Sequence, residues 1–240
     1  CWIQSGSINF YNGAGMPASP FRTDRWTTTN RPVRVACIGD SITFGLGISN
    51  TNQTYPARLQ ALLGPEYDVR NFGKSGTTVT RDSFSGTARG YIKQAEHTNA
   101  LAFQPDVVIC NLGINDVSSF ADAQRQYLVR DYREIIDAYR ALPTAPRIIL
   151  WQRLAPLFPG QTYYGQPVVR EVNGLIRIAA DQSGADAVDM TPPLVDHPEW
   201  FPDNIHPDAD GAQRIGEVIY GWLLQTFEVP AGVKLSQLDA

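Results

Sequence analysis

The stretch Val33–Gly45 reads VRVACIGDSITFG. A short apolar run stops at Gly39-Asp40-Ser41, so a buried strand delivers a hydroxyl to a polar turn at its carboxyl end. The same plan recurs down the chain. Further strands are predicted at YDVRNF (67–72), DVVICNL (106–112), PRIILW (146–151) and ADAVDM (185–190). Between them run helical stripes. Tyr55, Leu59, Leu62 and Leu63 form the first, and a helix is expected over about 88–101. Leu128, Tyr132, Ile135, Ile136 and Tyr139 follow the i, i+4, i+7, i+8, i+11 spacing of one helix face. Val172, Leu175, Ile176 and Ala179 mark another helix, and Ala212, Ile215, Ile219, Trp222 and Leu223 the last. Five strands, each followed by a helix and apolar enough to be covered on both faces, predict a three-layer α/β/α sandwich around a parallel sheet. Right-handed crossovers favour the flavodoxin-like strand order 2-1-3-4-5.

A chain of 240 residues suits one domain with a single large core. Its net charge of −4 gives no basic footprint for nucleic acid. No apolar run is long enough to span a membrane, and the N-terminus lacks the plan of a signal peptide. Cys1, Cys37 and Cys110 are too few and scattered for a disulfide framework or a zinc site. Cys37 and Cys110 lie in apolar runs, where thiols serve as small hydrophobes. Residues 1–31, rich in Gly, Asn, Ser, Thr and Pro, read as an irregular arm or linker remnant. The folded domain is expected over 32–228 and a tail over 229–240. Cys1 in place of Met points to processing or excision, which leaves secretion open.

In a sheet of this kind ligands bind beyond the carboxyl ends of the strands, at the point where strand order reverses. Four polar clusters fall there: Gly39-Asp40-Ser41, Asn71-Phe72-Gly73, Gly113-Ile114-Asn115-Asp116 and Asp203-Asn204-Ile205-His206. The last sits in a stretch from Thr191 to His206 without helix or strand pattern, and loops this long in a compact domain are usually functional or disordered. Ser41 can attack an acyl carbon, His206 can take its proton, and Asp203 can orient the imidazole. Pro207 suits the first position of the following helix. The expected oxyanion donors are the N–H groups of Ser41 and Gly73 and the side-chain amide of Asn115.

These four clusters, in this order, resemble the sequence blocks of the SGNH (GDSL-type) hydrolases. GDSITFG carries Ser41, NFGKSG carries Gly73, LGIND carries Asn115 and DNIHP carries Asp203 with His206. The resemblance implies ester or thioester hydrolysis with no metal and no organic cofactor. Within the family, YPARLQALLG, VRNFGKSGTT and HPEWFPDNIHP look like bacterial carbohydrate acetylesterases of the sialate O-acetylesterase and acetylxylan esterase kind. An acetylated carbohydrate or other small ester is then the expected partner, and a bacterial periplasmic or secreted location is compatible. The arm GMPASPFRTDRW is similar to the closing segment of sialate O-acetylesterase-type domains, which implies a preceding esterase domain.

Other readings compete residue by residue. A Ser after a strand is commonly a helix N-cap. Asp40 and Asp116 read as structural ties between loops. GKSG lacks the earlier glycine of a phosphate loop, and the GxSxG elbow is absent around Ser41. Trp151, Arg153 and Trp200 are candidates to contact substrate at the mouth, against core roles for the tryptophans and an ion pair for Arg153. A lipase, lysophospholipase or thioesterase on the same scaffold, or a carbohydrate-binding module on a dead one, are the alternative functions.

Overall fold

The computed structural model describes residues 31–82, 89–118, 122–152 and 166–226. The arm with Cys1, the C-terminal tail and Arg153 lie outside the described residues. Five strands form one parallel sheet: β1 (Val33–Gly39), β2 (Tyr67–Gly73), β3 (Val107–Asn111), β4 (Arg147–Gln152) and β5 (Asp186–Asp189). The order is β2-β1-β3-β4-β5, as the alternation of strands and helices predicts.

Helices α1 (Ser41–Phe44) and α2 (Tyr55–Leu63) follow β1, and α3 (Ala95–Ala102) follows β2. After β3 come α4 (Ile114–Ser118) and α5 (Asp122–Arg140), after β4 comes α6 (Gln166–Ser183), and α7 (Ala209–Thr226) closes the order. Strand side chains alternate between faces. Ala36, Ile38, Val108, Cys110, Ile148 and Leu150 therefore join Ala100, Leu128, Tyr132, Ile135, Val172 and Ile176 in the core beneath α3, α5 and α6. Val35, Cys37, Val107, Ile109, Ile149 and Trp151 face the other way, onto Tyr55 and Leu59 of α2 and Ile215, Ile219 and Trp222 of α7. Each large aliphatic side chain so buried contributes about 1.5–3 kcal/mol. The helical stripes read from the sequence are the faces that supply these layers.

Three details differ from the sequence reading. The helix expected from about 88 begins at Ala95, because Thr78 N–H donates to Arg89 O (3.0 Å) and Tyr91 N–H to Thr78 O (2.9 Å). That pairing draws residues 89–91 into extended chain, and a single 3₁₀ turn, Tyr91–Lys93, leads into α3. The stretch Thr191–His206 contains one 3₁₀ turn, Pro198–Trp200. Pro207 does not open α7. Asp208 caps it instead, its Oδ1 accepting from Asp210 N–H (3.0 Å) and Gly211 N–H (2.9 Å).

The amino end of the sheet is closed by Arg31, whose guanidinium forks onto Asp106 at 2.6 and 2.8 Å while Asp106 also accepts from Arg34 N–H. Among the described residues no helix is long and apolar enough to cross a membrane.

Candidate active site

Parallel pairing places Gly39 opposite Gly73 on one side and Asn111 on the other, so three loops leave the sheet at one level. On the first of them, the buried Asp40 carboxylate accepts from Ile42 N–H at 3.0 Å and caps α1, and Asp40 N–H donates to Asn111 O at 3.2 Å. This fixes Ser41 at the first position of α1, recessed to 5% exposure. A first-turn N–H has no intrahelical acceptor, so the Ser41 amide is available to a ligand oxygen.

The fourth loop meets this point from the far end of the chain. Asn204 N–H donates to Phe201 O at 2.7 Å, and Asn204 itself takes φ +67. The chain then folds back so that Asp203 Oδ1 accepts from Ile205 N–H (3.0 Å) and His206 N–H (2.7 Å). Asp203 Oδ2 lies 2.6 Å from His206 Nδ1, and His206 Nε2 lies 2.8 Å from Ser41 Oγ. One carboxylate thus shapes the turn with one oxygen and holds the imidazole with the other. Because an ionised carboxylate only accepts, Nδ1 carries the proton and Nε2 is left to accept from the Ser41 hydroxyl. Partial burial raises the Asp203 pKa, but the His206 N–H, the imidazole and the Ile205 N–H outweigh it and hold the carboxyl below the usual range. Asp203 therefore stays ionised wherever the imidazole can act as a base.

The other histidines are elsewhere. His97 is buried between Tyr91 and Tyr139, with Nδ1 3.3 Å from the Tyr139 hydroxyl. His197 stacks on Trp200 at 3.7 Å and bonds Glu199 at 2.8 Å.

Around the reacting centre the loops are laced together. Asn115, at the start of α4, donates from Nδ2 to Thr77 O at 2.8 Å. Its neighbour Asp116, fully buried, accepts from Val79 N–H, Thr80 N–H and the Thr80 hydroxyl at 2.9–3.0 Å. Asp116 is a structural tie, and burial raises its pKa against those three donors and the charge of Arg89.

Gly73 is a different matter. It is buried, and its N–H donates to Asn71 Oδ1 at 2.9 Å while Asn71 Nδ2 donates to Thr43 O at 2.7 Å. A Cβ here would lie 2.2 Å from Phe44 N, so glycine is required by the contact between β2 and the end of α1. This corrects the expected role of Gly73, because its amide is already spent within its own loop. Four residues on, Thr77 N–H donates to Lys74 O at 3.3 Å and closes a four-residue turn. Gly76 holds the third place of that turn at φ +81, as type II geometry demands. Gly76 is half-buried, and among the described residues its N–H meets no acceptor. Lys74 N–H donates to Gly39 O at 2.8 Å, which sets this turn beside the Ser41 loop. NFGKSG offers two glycines, and the structure separates them by the bond from Gly73 N–H to Asn71.

Residues 37–214 match the GDSL-like lipase/acylhydrolase family. The chain belongs to this family. It is 31% identical over 207 residues to an acetylxylan esterase of Xylanibacter ruminicola, a match covering 78% of this chain and 42% of that protein. The chain thus spans less than half the length of that curated relative. Two solved structures share the fold at 20% identity. One is a two-domain esterase active on acetylated mannans, with TM-score 0.63 over 85% of this chain and 51% of that one. The other is a carbohydrate acetylesterase from Sinorhizobium meliloti, with TM-score 0.60 over 81% of this chain and all of that one (100%).

In this GDSL-type domain the expected substrate contacts do not all reach the mouth. Trp151 is 3% exposed and packs edge-on against Tyr55 with ring centroids 5.5 Å apart, so it belongs to the core and not to a sugar platform. The reason is strand parity, since Trp151 shares the face of Ile149 toward α2 and α7. Trp200 is half-buried with His197 lying across its ring.

Proposed function

We propose that this domain is a serine carboxylic-ester hydrolase that works through an acyl-enzyme and releases acetate from a carbohydrate. The observation that carries the reading is the unbroken chain of contacts from Asp203 Oδ2 through both imidazole nitrogens to Ser41 Oγ. Ser41 Oγ attacks the ester carbon as His206 Nε2 takes its proton, and the imidazolium is stabilised by the ionised Asp203. The carbonyl oxygen, now an oxyanion, accepts from the N–H groups of Ser41 and Gly76 and from the Asn115 amide. Collapse breaks the bond to the alcohol, which leaves with the proton from His206. A water then repeats the sequence on the acyl-enzyme and frees acetate.

The carbohydrate part of the proposal draws on the relative described as an acetylxylan esterase. A second reading, a lipase-like acylhydrolase, draws on Phe44 and Leu46, apolar side chains exposed at 53% and 43% just beyond the nucleophile. Acetate release from acetylated xylan and mannan, set beside a p-nitrophenyl ester series from acetate to octanoate, separates the two. A steep fall with chain length is expected, and a preference for octanoate would favour the second reading. Ser41→Ala and His206→Ala are each expected to lose about 10⁴-fold or more in kcat. Wild-type turnover by either variant would defeat the proposal.

A further inference from the structure

The Lys74–Thr77 turn presents two successive carbonyls, and each is held by a side chain. Thr77 O accepts from Asn115, and Gly76 O accepts from Arg89 Nε at 2.7 Å. Arg89 is half-buried and arrives from a neighbouring segment, where its own carbonyl accepts from Thr78 N–H at 3.0 Å. Backbone and side chain of one residue therefore hold Gly76 and Thr78, on either side of Thr77 at the carboxyl end of the turn.

We infer that Arg89 is a positioning residue for acyl transfer, holding the Gly76 carbonyl and the Thr78 N–H so that the turn carrying the Gly76 N–H stays in place beside the Ser41 loop. The inference rests on the reading of Gly76 as an oxyanion donor. A turn with a glycine at its third position is free to flip its peptides, because glycine takes either sign of φ with little penalty. Arg89 restrains the carboxyl side of that glycine, the Gly76–Thr77 peptide, before substrate arrives, and preorganised donors require a loop fixed in advance. Charge argues the same way. Asp116 lies buried against Val79 and Thr80, just after this turn, and a lone carboxylate there would oppose negative charge forming on the substrate oxygen. Arg89 is the cation whose field bears on it.

The test compares Arg89→Met and Arg89→Lys with wild type on p-nitrophenyl acetate, with melting temperatures measured alongside. Arg89→Met is expected to lower kcat about 10-fold to 100-fold, less than loss of a donor itself, with KM changed by less than about threefold. Arg89→Lys should fall between. In Arg89→Ala, guanidinium ion at millimolar concentration is expected to restore part of the lost kcat while leaving Ser41→Ala inactive. Wild-type kcat in folded Arg89→Met overturns the inference, as does a fall in kcat no larger than the fall in folded fraction. If Arg89→Met does not fold, Arg89→Lys decides, with unchanged kcat at unchanged melting temperature counting against the clamp. An active Ser41→Ala would instead bring down the underlying assignment.

Discussion

At φ +67 Asn204 occupies the left-handed region, where an ordinary L residue is strained by about 1–2 kcal/mol and Asn or Gly is not. Its reversal lets Asp203 Oδ1 reach the N–H groups of Ile205 and His206, and the same carboxylate then meets the imidazole at 2.6 Å. The orientation of the base is therefore encoded in the backbone between Asp203 and His206 as well as in the two side chains. Asn204 is exposed, so replacing it disturbs little packing. Asn204→Gly is expected to keep kcat within about threefold, while Asn204→Val, β-branched and unsuited to positive φ, loses about tenfold with KM nearly unchanged. Steady-state kinetics of the pair check this. Equal kcat in the valine and glycine variants would show that the turn does not set the imidazole.

Helix α3 is pinned to α5 through one histidine. His97 lies 4% exposed between the rings of Tyr91 and Tyr139, and burial lowers its pKa from 6.5 to about 4. The folded protein thus holds the imidazole neutral where the unfolded chain protonates it. Stability is fully present above pH 6.5 and is lost as the pH falls toward 4, by about 3 kcal/mol at most. His97→Gln removes this titration, so urea unfolding at pH 7.5 and 4.5 should show a smaller drop in the variant than in wild type. Identical drops would place the acid sensitivity elsewhere. At this scale the sequence was informative where an element is long enough to show its period. The stripes of α5, α6 and α7 are such cases, whereas α1 and α4 run for about one turn and show none. The loops that bring Ser41, Asp203 and His206 together were legible because strand ends locate three of the four clusters and this set of residue types is a specific pattern. Gly73 and Gly76 were not separable by residue type, because the distinction lies in which amide is already bonded, here by Asn71. Trp151 stayed open between mouth and core, because it stands near a strand end, and strand parity turns it toward α2 and α7.

The two layers of core share one sheet, and neighbouring positions on β1 and β3 report on both. Cys37 pairs across to Ile109 and faces α2 and α7, while Cys110 pairs with Ile38 and faces α3, α5 and α6. Each thiol is at most 1% exposed and free of any disulfide. Burial drives the Cys37 pKa far above its ordinary value and that of Cys110 up to about 12. Because the thiolate is the reactive form, neither can be modified at pH 8 without an opening that admits solvent to the sheet. Such an opening must break strand pairing that both layers depend on, so the two faces are expected to unfold as one unit. In a Cys1→Ser background, modification by an aromatic disulfide reagent should therefore proceed at one common rate for both thiols. That rate should rise with urea in step with global unfolding. Single variants Cys37→Ala and Cys110→Ala identify each signal. A thiol that reacts tenfold faster than its counterpart, with weak urea dependence, would mean that one helical layer detaches while the sheet stays paired.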